Sequence, residues 1–305
     1  MKKILVPIAL AWIPLLAIQA KPLDLSNVSR NANWLMHMDF DAMRNSEIGS
    51  FMLDSMEKIP EAADRMEKMK EEYGVDVEGF SYLTMSGTGE QHKGIAIMKG
   101  GVDTDMLVEF AKSQDSVEVS RIGKQKVYSS NRGRHSMAFA PLKKGMIVGG
   151  PDVDYVSEGI QLTKGKAPSY QGHEILAVLA EQVDNPGVLF FADVKGAAKN
   201  NEIDPRAMQM LEKVKAGGMA IGDDGGSISF VAVMETTNEE TCKQVEAMIR
   251  GGMAMVDMRK AKDKRLDKVL RGHSIKRDGK MLWVKMQFSV EAIMDHLERE
   301  MRKAA

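Results

Sequence analysis

A histidine close to a carboxylate is the arrangement in this chain with the clearest chemical potential. His37 and Asp39 lie two residues apart in an apolar run at residues 33–41. If this run forms a strand, both side chains project from one face, because alternate residues of a strand share a face. Such a pair can transfer protons near neutral pH. His37 and Asp39 are therefore a candidate acid–base pair, and the alternative is that both lie on a polar strand face or at its rim.

Three Asp-x-Asp pairs form a second group with possible chemistry. As calcium ligands they would need further oxygen donors, and the sequence contains no Asp-x-Asp-x-Asp-Gly loop with a distal glutamate. Each pair lies at or near the start of a predicted helix, where a carboxylate accepts hydrogen bonds from free backbone N–H groups and matches the helix dipole. We therefore interpret all three as helix caps. The pairs are Asp39/Asp41, Asp103/Asp105 and Asp152/Asp154.

Metal, nucleotide and nucleophile motifs are missing from the sequence. The 6 histidines do not have the short mutual spacing of a zinc helix or ribbon. The paired glycines do not form a dinucleotide or phosphate-binding loop, and no Gly-x-Ser-x-Gly elbow occurs. We therefore expect no cofactor, no metal and no catalytic residue. Gly251 and Gly252 lie within a helical run, where they predict a kink or the close approach of another helix.

The most distinctive charge feature is the basic segment at residues 259–271. It is interpreted either as a docking surface for an anionic envelope polymer or lipid head groups, or as a solvated helix. The solvated helix would carry Arg259–Asp263 and Asp267–Arg271 ion pairs at i,i+4 spacing. The candidate binding surface consists of Lys260, Lys264, Arg265, Lys268 and Arg271.

Length and composition are those of a folded protein. The chain has 305 residues, of which 44% are hydrophobic and 28% charged, enough apolar material for two cores of ordinary size. Residues 1–20 have the form of a secretory signal peptide, with Lys2 and Lys3 before an apolar stretch and Ala20 at the expected cleavage point. Removing these two lysines from 42 basic residues leaves a net charge of −3 against 43 acidic residues. We expect an exported, periplasmic or extracellular protein, with no membrane span in the mature chain and no affinity for nucleic acid.

Sulfur-containing residues give two further expectations. Cys242 is the single cysteine, so no intramolecular disulfide can form, and its helical spacing with Val245 and Ile249 predicts a buried structural thiol. The 25 methionines predict either padding of the core or an adaptable binding surface, and their spacing within helices and strands favours the core.

The elements that position these residues indicate an internal repeat. Residues 33–41 and 188–194 are apolar runs with an acidic residue near the end, and helical sequence, two strands, a helix, further strands and a last helix follow each run. In the first run, Trp34, Met36 and Met38 are expected on the core face. The order favours an α+β fold in which helices pack on one face of a mostly antiparallel sheet, as in ferredoxin-like split units with additions. We expect two such sheets, in a first repeat domain at 21–163 and a second at 188–305, joined by a linker and connecting helix at 164–187.

The repeated layout also resembles a group of known proteins. A strand that bears Trp34, at residues 34–40, opens the first repeat in the manner of uncharacterised exported bacterial proteins with a duplicated α+β domain. The resemblance covers most of the mature chain and implies no catalytic residues. We expect an exported, non-enzymatic binding or scaffold protein of the bacterial cell envelope, with another envelope protein or an anionic envelope polymer as its partner. The alternative is an envelope hydrolase with a site at the domain junction near His37 and Asp39.

Overall fold

The structure of the protein is a computed structural model that describes residues 23–90, 93–131, 136–183, 186–194 and 212–304. The signal peptide predicted at residues 1–20 lies outside these ranges, as do His92 and His135. The helical sequence that follows the run at 188–194 predicts a helix over residues 204–215, and most of it also lies outside these ranges. That helix does not extend to its expected end, because Val214 and Lys215 belong to a strand.

One antiparallel sheet organises the described chain. Its strands are β1 (Trp34–Asp39), β2 (Val75–Gly87), β3 (Ile95–Val102), β4 (Val117–Ile122), β5 (Gln125–Ser130), β6 (Met137–Leu142), β7 (Met146–Gly150), β8 (Val188–Asp193), β9 (Val214–Asp223), β10 (Ser227–Thr236), β11 (Leu270–Asp278) and β12 (Met281–Ser289). They are arranged in the order β11-β12-β10-β9-β8-β1-β2-β3-β7-β6-β5-β4. The predicted α+β class with a mostly antiparallel sheet is confirmed.

The same strand order runs outward from the centre of the sheet in both directions. From β1 the order is β2, β3, β7, β6, and from β8 it is β9, β10, β12, β11. The β4–β5 hairpin is an addition at the outer edge of the first half. Antiparallel pairing of β1 with β8 joins the halves, so the two predicted sheets are one continuous sheet.

Helices cover both faces of this sheet, not one face as predicted. The reason is that many strands are apolar on both sides, so each face needs a cover. The helices are α1 (Phe40–Arg44), α2 (Glu47–Glu57), α3 (Pro60–Tyr73), α4 (Thr104–Lys112), α5 (Val153–Thr163), α6 (Glu174–Gln182), α7 (Glu239–Lys260), α8 (Lys264–Val269) and α9 (Val290–Ala304). We call the two sides the α5/α6 face and the α4/α7 face, after the helices that pack against the sheet there.

The main cores lie on the α5/α6 face. Beneath α5, Ile97 and Val148 of the sheet pack with Ile160 of the helix. Beneath α6, Leu35 and Phe191 pack with Leu179. Every one of these side chains is at most 1% exposed, so this face holds the most completely buried apolar surface of the described chain.

Strand β1 faces the opposite way from its predicted orientation. Leu35, His37 and Asp39 are buried, whereas Trp34 and Met36 are only half-buried. The error has a physical cause. The largest side chains of the run were expected to mark the core, but the α5/α6 face is packed with Val, Ile, Leu and Ala side chains, whose shapes allow tighter filling.

Methionine is absent from the fully buried residues of the described chain. Methionines such as Met146, Met234 and Met281 are only partly buried and pack at the margins of the cores. Others, including Met85 and Met98, lie on the α4/α7 face. Because methionine is flexible, this distribution favours an adaptable surface, which was the alternative interpretation.

Candidate ligand cavity

A cavity lies between α4 and the first half of the sheet. The Asp103 carboxylate caps α4 by accepting hydrogen bonds from the N–H groups of Asp105, at 2.9 Å, and Met106, at 3.1 Å. Leu107, Phe110 and Ala111 of the helix then line the cavity opposite the strands. The helix is short, at 9 residues, and spans the sheet without filling the space beneath it.

The cavity measures about 670 Å³, which is within the range of about 300–1,000 Å³ typical of small-molecule sites. None of the described residues that line it is charged, and most are aliphatic, aromatic or methionine. They are Val75, Leu83, Met85, Ala96, Met98, Val102, Leu107, Phe110, Ala111, Gln114, Ser116, Val117, Tyr128, Ser129, Ser130, Met137, Ala138, Phe139, Ile147, Gly149 and Gly150.

Small residues in the floor explain why the space is open. Ala96 of β3 pairs directly with Gly149 of β7, so the middle of the floor carries one methyl group and one hydrogen. A Cβ atom at Gly149 would come no closer than 3.9 Å to any neighbour, so the glycine is not required by crowding. Larger side chains at these two positions would occupy the cavity.

Aromatic pairs hold the walls in place. Tyr128 and Phe139, on neighbouring strands, stack with ring centroids 5.3 Å apart. Tyr73 of α3 meets Phe110 of α4 edge to face at 4.9 Å. Phe110 is 39% exposed and Met137 is 64% exposed, which places the opening beside these two apolar side chains. The opening is thus apolar at its rim as well as inside.

Hydrogen-bonding groups gather at one end of the cavity. Gln114 and Ser116 follow the end of α4, and Ser130 ends β5. The hydroxyl oxygens of Ser116 and Ser130 are 3.4 Å apart. Burial raises the pKa of the Tyr128 hydroxyl above its ordinary value of 10.0, so this group also remains uncharged. The described residues of the site can offer hydrogen bonds but no counter-ion.

The predicted acid–base pair does not lie in this cavity. His37 is 3% exposed and Asp39 is 1% exposed, and both face away from the cavity because His37 pairs with Thr84 while the flanking Leu83 and Met85 line it. His37 Nδ1 lies 2.9 Å from the Thr84 hydroxyl, and the Asp39 carboxylate accepts a hydrogen bond from the Ala42 N–H at 2.8 Å. Their burial leaves no path for a substrate, so the geometry does not support acid–base catalysis there.

The capping interpretation of the acidic pairs is confirmed. Asp39 caps α1, Asp103 caps α4, and Asp152 caps α5 by accepting hydrogen bonds from two backbone N–H groups. Within the described ranges no three His, Cys, Asp or Glu side chains come close enough together to hold a metal ion.

The basic segment is not one helix. It is divided between the end of α7, the short helix α8 and the start of β11, because Asp263 starts a new helix by capping it. Lys260 pairs with Asp267 at 3.6 Å and Arg265 with Asp263 at 3.7 Å, so the predicted Arg259–Asp263 and Asp267–Arg271 pairs are not those observed.

The candidate docking residues are likewise divided. Arg271 donates hydrogen bonds to the hydroxyl oxygens of Ser227, at 3.0 Å, and Ser289, at 3.2 Å, and so joins three strands. Lys264, Arg265 and Lys268 remain exposed on α8 and its start. Arg271 thus links three strands and, like these three side chains, remains exposed.

Two further predictions concern α7. Cys242 is fully buried with Val245 and Leu282, as predicted from its helical spacing. Gly251 and Gly252 lie within the continuous helix, and a Cβ atom at either would meet nothing within 4 Å. The predicted close helix approach at these glycines is therefore wrong for the described chain.

Sequence reasoning missed the cavity although a signal was present. Residues 83, 85, 96 and 98 are apolar on the strand face opposite to the buried one, and residues 107, 110 and 111 give α4 an apolar stripe. These patterns predict a helix packed on a sheet. They do not reveal that the contact is incomplete, because that depends on the helix-to-sheet distance.

Comparisons with known proteins identify the fold but no family. No family model matches the sequence, and no curated protein sequence matches it. Crystal form III of TP0453 is similar, with a TM-score of 0.52 and 9% sequence identity over 91% of this chain and 98% of that chain. Crystal form IV of TP0453 has a TM-score of 0.52 and 11% identity over 91% and 97% of the two chains. At this level of identity the likeness concerns the fold alone.

Proposed function

We propose that this protein is an exported, non-enzymatic binding protein that holds an apolar small molecule in the cavity beneath α4. The supporting observation is the cavity itself, which measures about 670 Å³ and has no charged residue in the part of its lining that the structure describes. Burial of apolar ligand surface there gains roughly 25 cal/mol per Å². A preformed space avoids part of the cost of ordering the site on binding.

The methionines fit this proposal. Met85, Met98 and Met137 line the cavity, and their unbranched thioether side chains can adjust to ligands of different shape. Export is proposed on the sequence of residues 1–20 alone. Among the described residues no helix is both long and apolar enough to cross a membrane.

The proposal is tested with an uncharged naphthylamine dye whose fluorescence rises in apolar surroundings. The dye should bind to the wild-type protein. Ala96→Phe should weaken this binding at least about tenfold, since the ring would fill the middle of the cavity. A wild-type protein that gives no saturable fluorescence rise, with the dye or with a range of apolar dyes, would contradict the proposal.

The matched control is Ala232→Phe. Ala232 is the residue of β10 that lies in the same cross-strand row as Ala96, on the same face, but in the half without the cavity. This substitution should leave dye binding unchanged. Thermal unfolding of both variants separates loss of the site from loss of the fold.

A further inference from the structure

We infer that the ligand of the cavity is a neutral amphiphile: an apolar chain with one uncharged hydrogen-bonding head group, such as an alcohol, ester or amide. This inference rests on the proposed function and concerns which class of molecule the site selects. It follows from the uneven distribution of polar groups along the cavity.

The apolar end of the cavity is beside the start of α4. Val75, Val102 and Leu107 line it, and none of them carries a polar side-chain atom. The middle is formed by Met98, Ile147 and the paired aromatic rings. A ligand segment that fills these two parts gains nothing from polar atoms and loses the hydration of any that it carries.

The polar end is beside the residues that follow α4. Gln114, Ser116 and Ser130 are all partly buried, and their side chains include both donors and acceptors. The 3.4 Å separation of the two serine hydroxyls leaves both with capacity for a further hydrogen bond. A hydroxyl or carbonyl group of a ligand can therefore be satisfied at this end, where three polar side chains lie together.

Charge on the head group is disfavoured. Among the described residues, no lysine, arginine, histidine, aspartate or glutamate lines the cavity, and Lys112 and Asp115, which are close to Gln114 along the chain, are exposed and outside the lining. Arg132, Arg134 and His135, between β5 and β6, lie outside the described residues. A carboxylate or ammonium group moved to this end would lose hydration without a counter-ion. The site therefore selects neutral head groups over both signs of charge.

The test displaces the uncharged dye with three compounds that share one chain: dodecanol, dodecanoate and dodecylammonium, each below its micelle concentration at neutral pH. We expect dodecanol to displace the dye at least about tenfold more effectively than either ion. Equal displacement by dodecanoate or by dodecylammonium would overturn the inference, because the head group would then lie in solvent.

Variants locate the head group. Ser130→Ala and Gln114→Leu should each weaken dodecanol binding by about threefold to tenfold, the value of one hydrogen bond, when displacement is corrected for the dye affinity measured separately for each variant. Ser274→Ala, at an exposed strand serine of the other half, is the matched control and should change neither dodecanol binding nor dye affinity. Unchanged dodecanol binding in both cavity variants would overturn the assignment of the polar end. Absence of dye binding in the wild type is a different result, since it refutes the proposed function itself.

Discussion

The two halves of the sheet place a helix at the same topological position and fill the space beneath it differently. α4 follows β3, α7 follows β10, and both lie on the α4/α7 face. Beneath α7, Cys242 and Val245 meet Leu282 of β12, and all three are at most 2% exposed. Beneath α4 is the cavity. The strand order by itself therefore does not produce a cavity beneath the helix. The cavity results from the particular residues of the first half.

Helix length accounts for part of this difference. α7 has 22 residues and lies against β10, β11 and β12, whereas α4 has 9 residues. The longer helix brings more side chains to the sheet. On the floor, Gly149 of β7 is smaller than Val284, the residue of β12 in the same cross-strand row, whereas Ala96 and its counterpart Ala232 are the same size. A short helix over small floor residues leaves room for a ligand.

The largest expected difference in stability is between a leucine packed beneath α7 and a leucine of α4 that lines the cavity. Leu282→Ala should lower the free energy of unfolding by about 2–5 kcal/mol, because it opens a new hole in a filled core. Leu107→Ala should cost no more than about 1–2 kcal/mol, because the lost atoms border space that is already open. Urea denaturation of both variants measures the difference. Equal losses would show that the two regions are packed alike.

Replacing a glycine by alanine should destabilise the protein in α5 and stabilise it in α7. Gly159→Ala in α5 should cost about 1–3 kcal/mol, since the new Cβ would lie 2.5 Å from Val148 Cγ1 and 2.9 Å from Ile95 Cγ2. Gly251→Ala in α7 should instead stabilise the protein by about 0.4–1 kcal/mol, as the site is open and alanine favours helix. Thermal unfolding compares them. A destabilised Gly251→Ala variant would mean that something does approach α7 there.

Acid should weaken the filled half through Glu246. Its carboxylate accepts hydrogen bonds from Arg250, at 2.8 Å, and Arg277, at 2.7 Å, which lower its pKa below the ordinary 4.5. The folded state therefore favours the ionised form, so the contribution to stability is present above pH 4.5 and is lost as the pH falls through the folded-state pKa.

Glu246→Gln tests this linkage. The variant should have a lower urea midpoint than the wild type at neutral pH, and the two midpoints should converge well below pH 4.5. Glu240→Gln, in the exposed first turn of the same helix, is the control and should match the wild type throughout. A gap that persists unchanged in acid would point to a structural effect of the amide.

The smallest effect is expected at the exposed basic group of α8. Reversal of Lys264, Arg265 and Lys268 to glutamate should change the free energy of unfolding by only about 0–1 kcal/mol, since exposed ion pairs contribute little. We also expect the wild-type protein not to bind anionic lipid or polysaccharide at low ionic strength. Salt-sensitive binding that the reversal abolishes would identify a docking surface on this half, in addition to the cavity in the other.

Local sequence determined where many elements begin and end. Asp103 and Asp152 start helices because a carboxylate satisfies free N–H groups, and Asp278-Gly279 forms the β11–β12 turn because glycine adopts the positive φ of 53° that the turn requires. The connecting helix was predicted within residues 164–187 and is observed as Glu174–Gln182. Each of these outcomes depends on residues within a few positions of one another, so the chain alone carries the information.

Tertiary structure alone decided which strand faces are buried and which candidate functional side chains are accessible. Strand alternation places His37 and Asp39 on one face but does not show that packed helices cover that face, where the two side chains are 3% and 1% exposed. In the sequence, residues 259–271 form one basic run. In the structure, Asp263 caps a separate helix within it, and Arg271 donates hydrogen bonds that join three strands. The cavity is the clearest case. Its walls come from residues 75 to 150, and its volume is set by the distance between α4 and the sheet, which depends on contacts far apart in the chain.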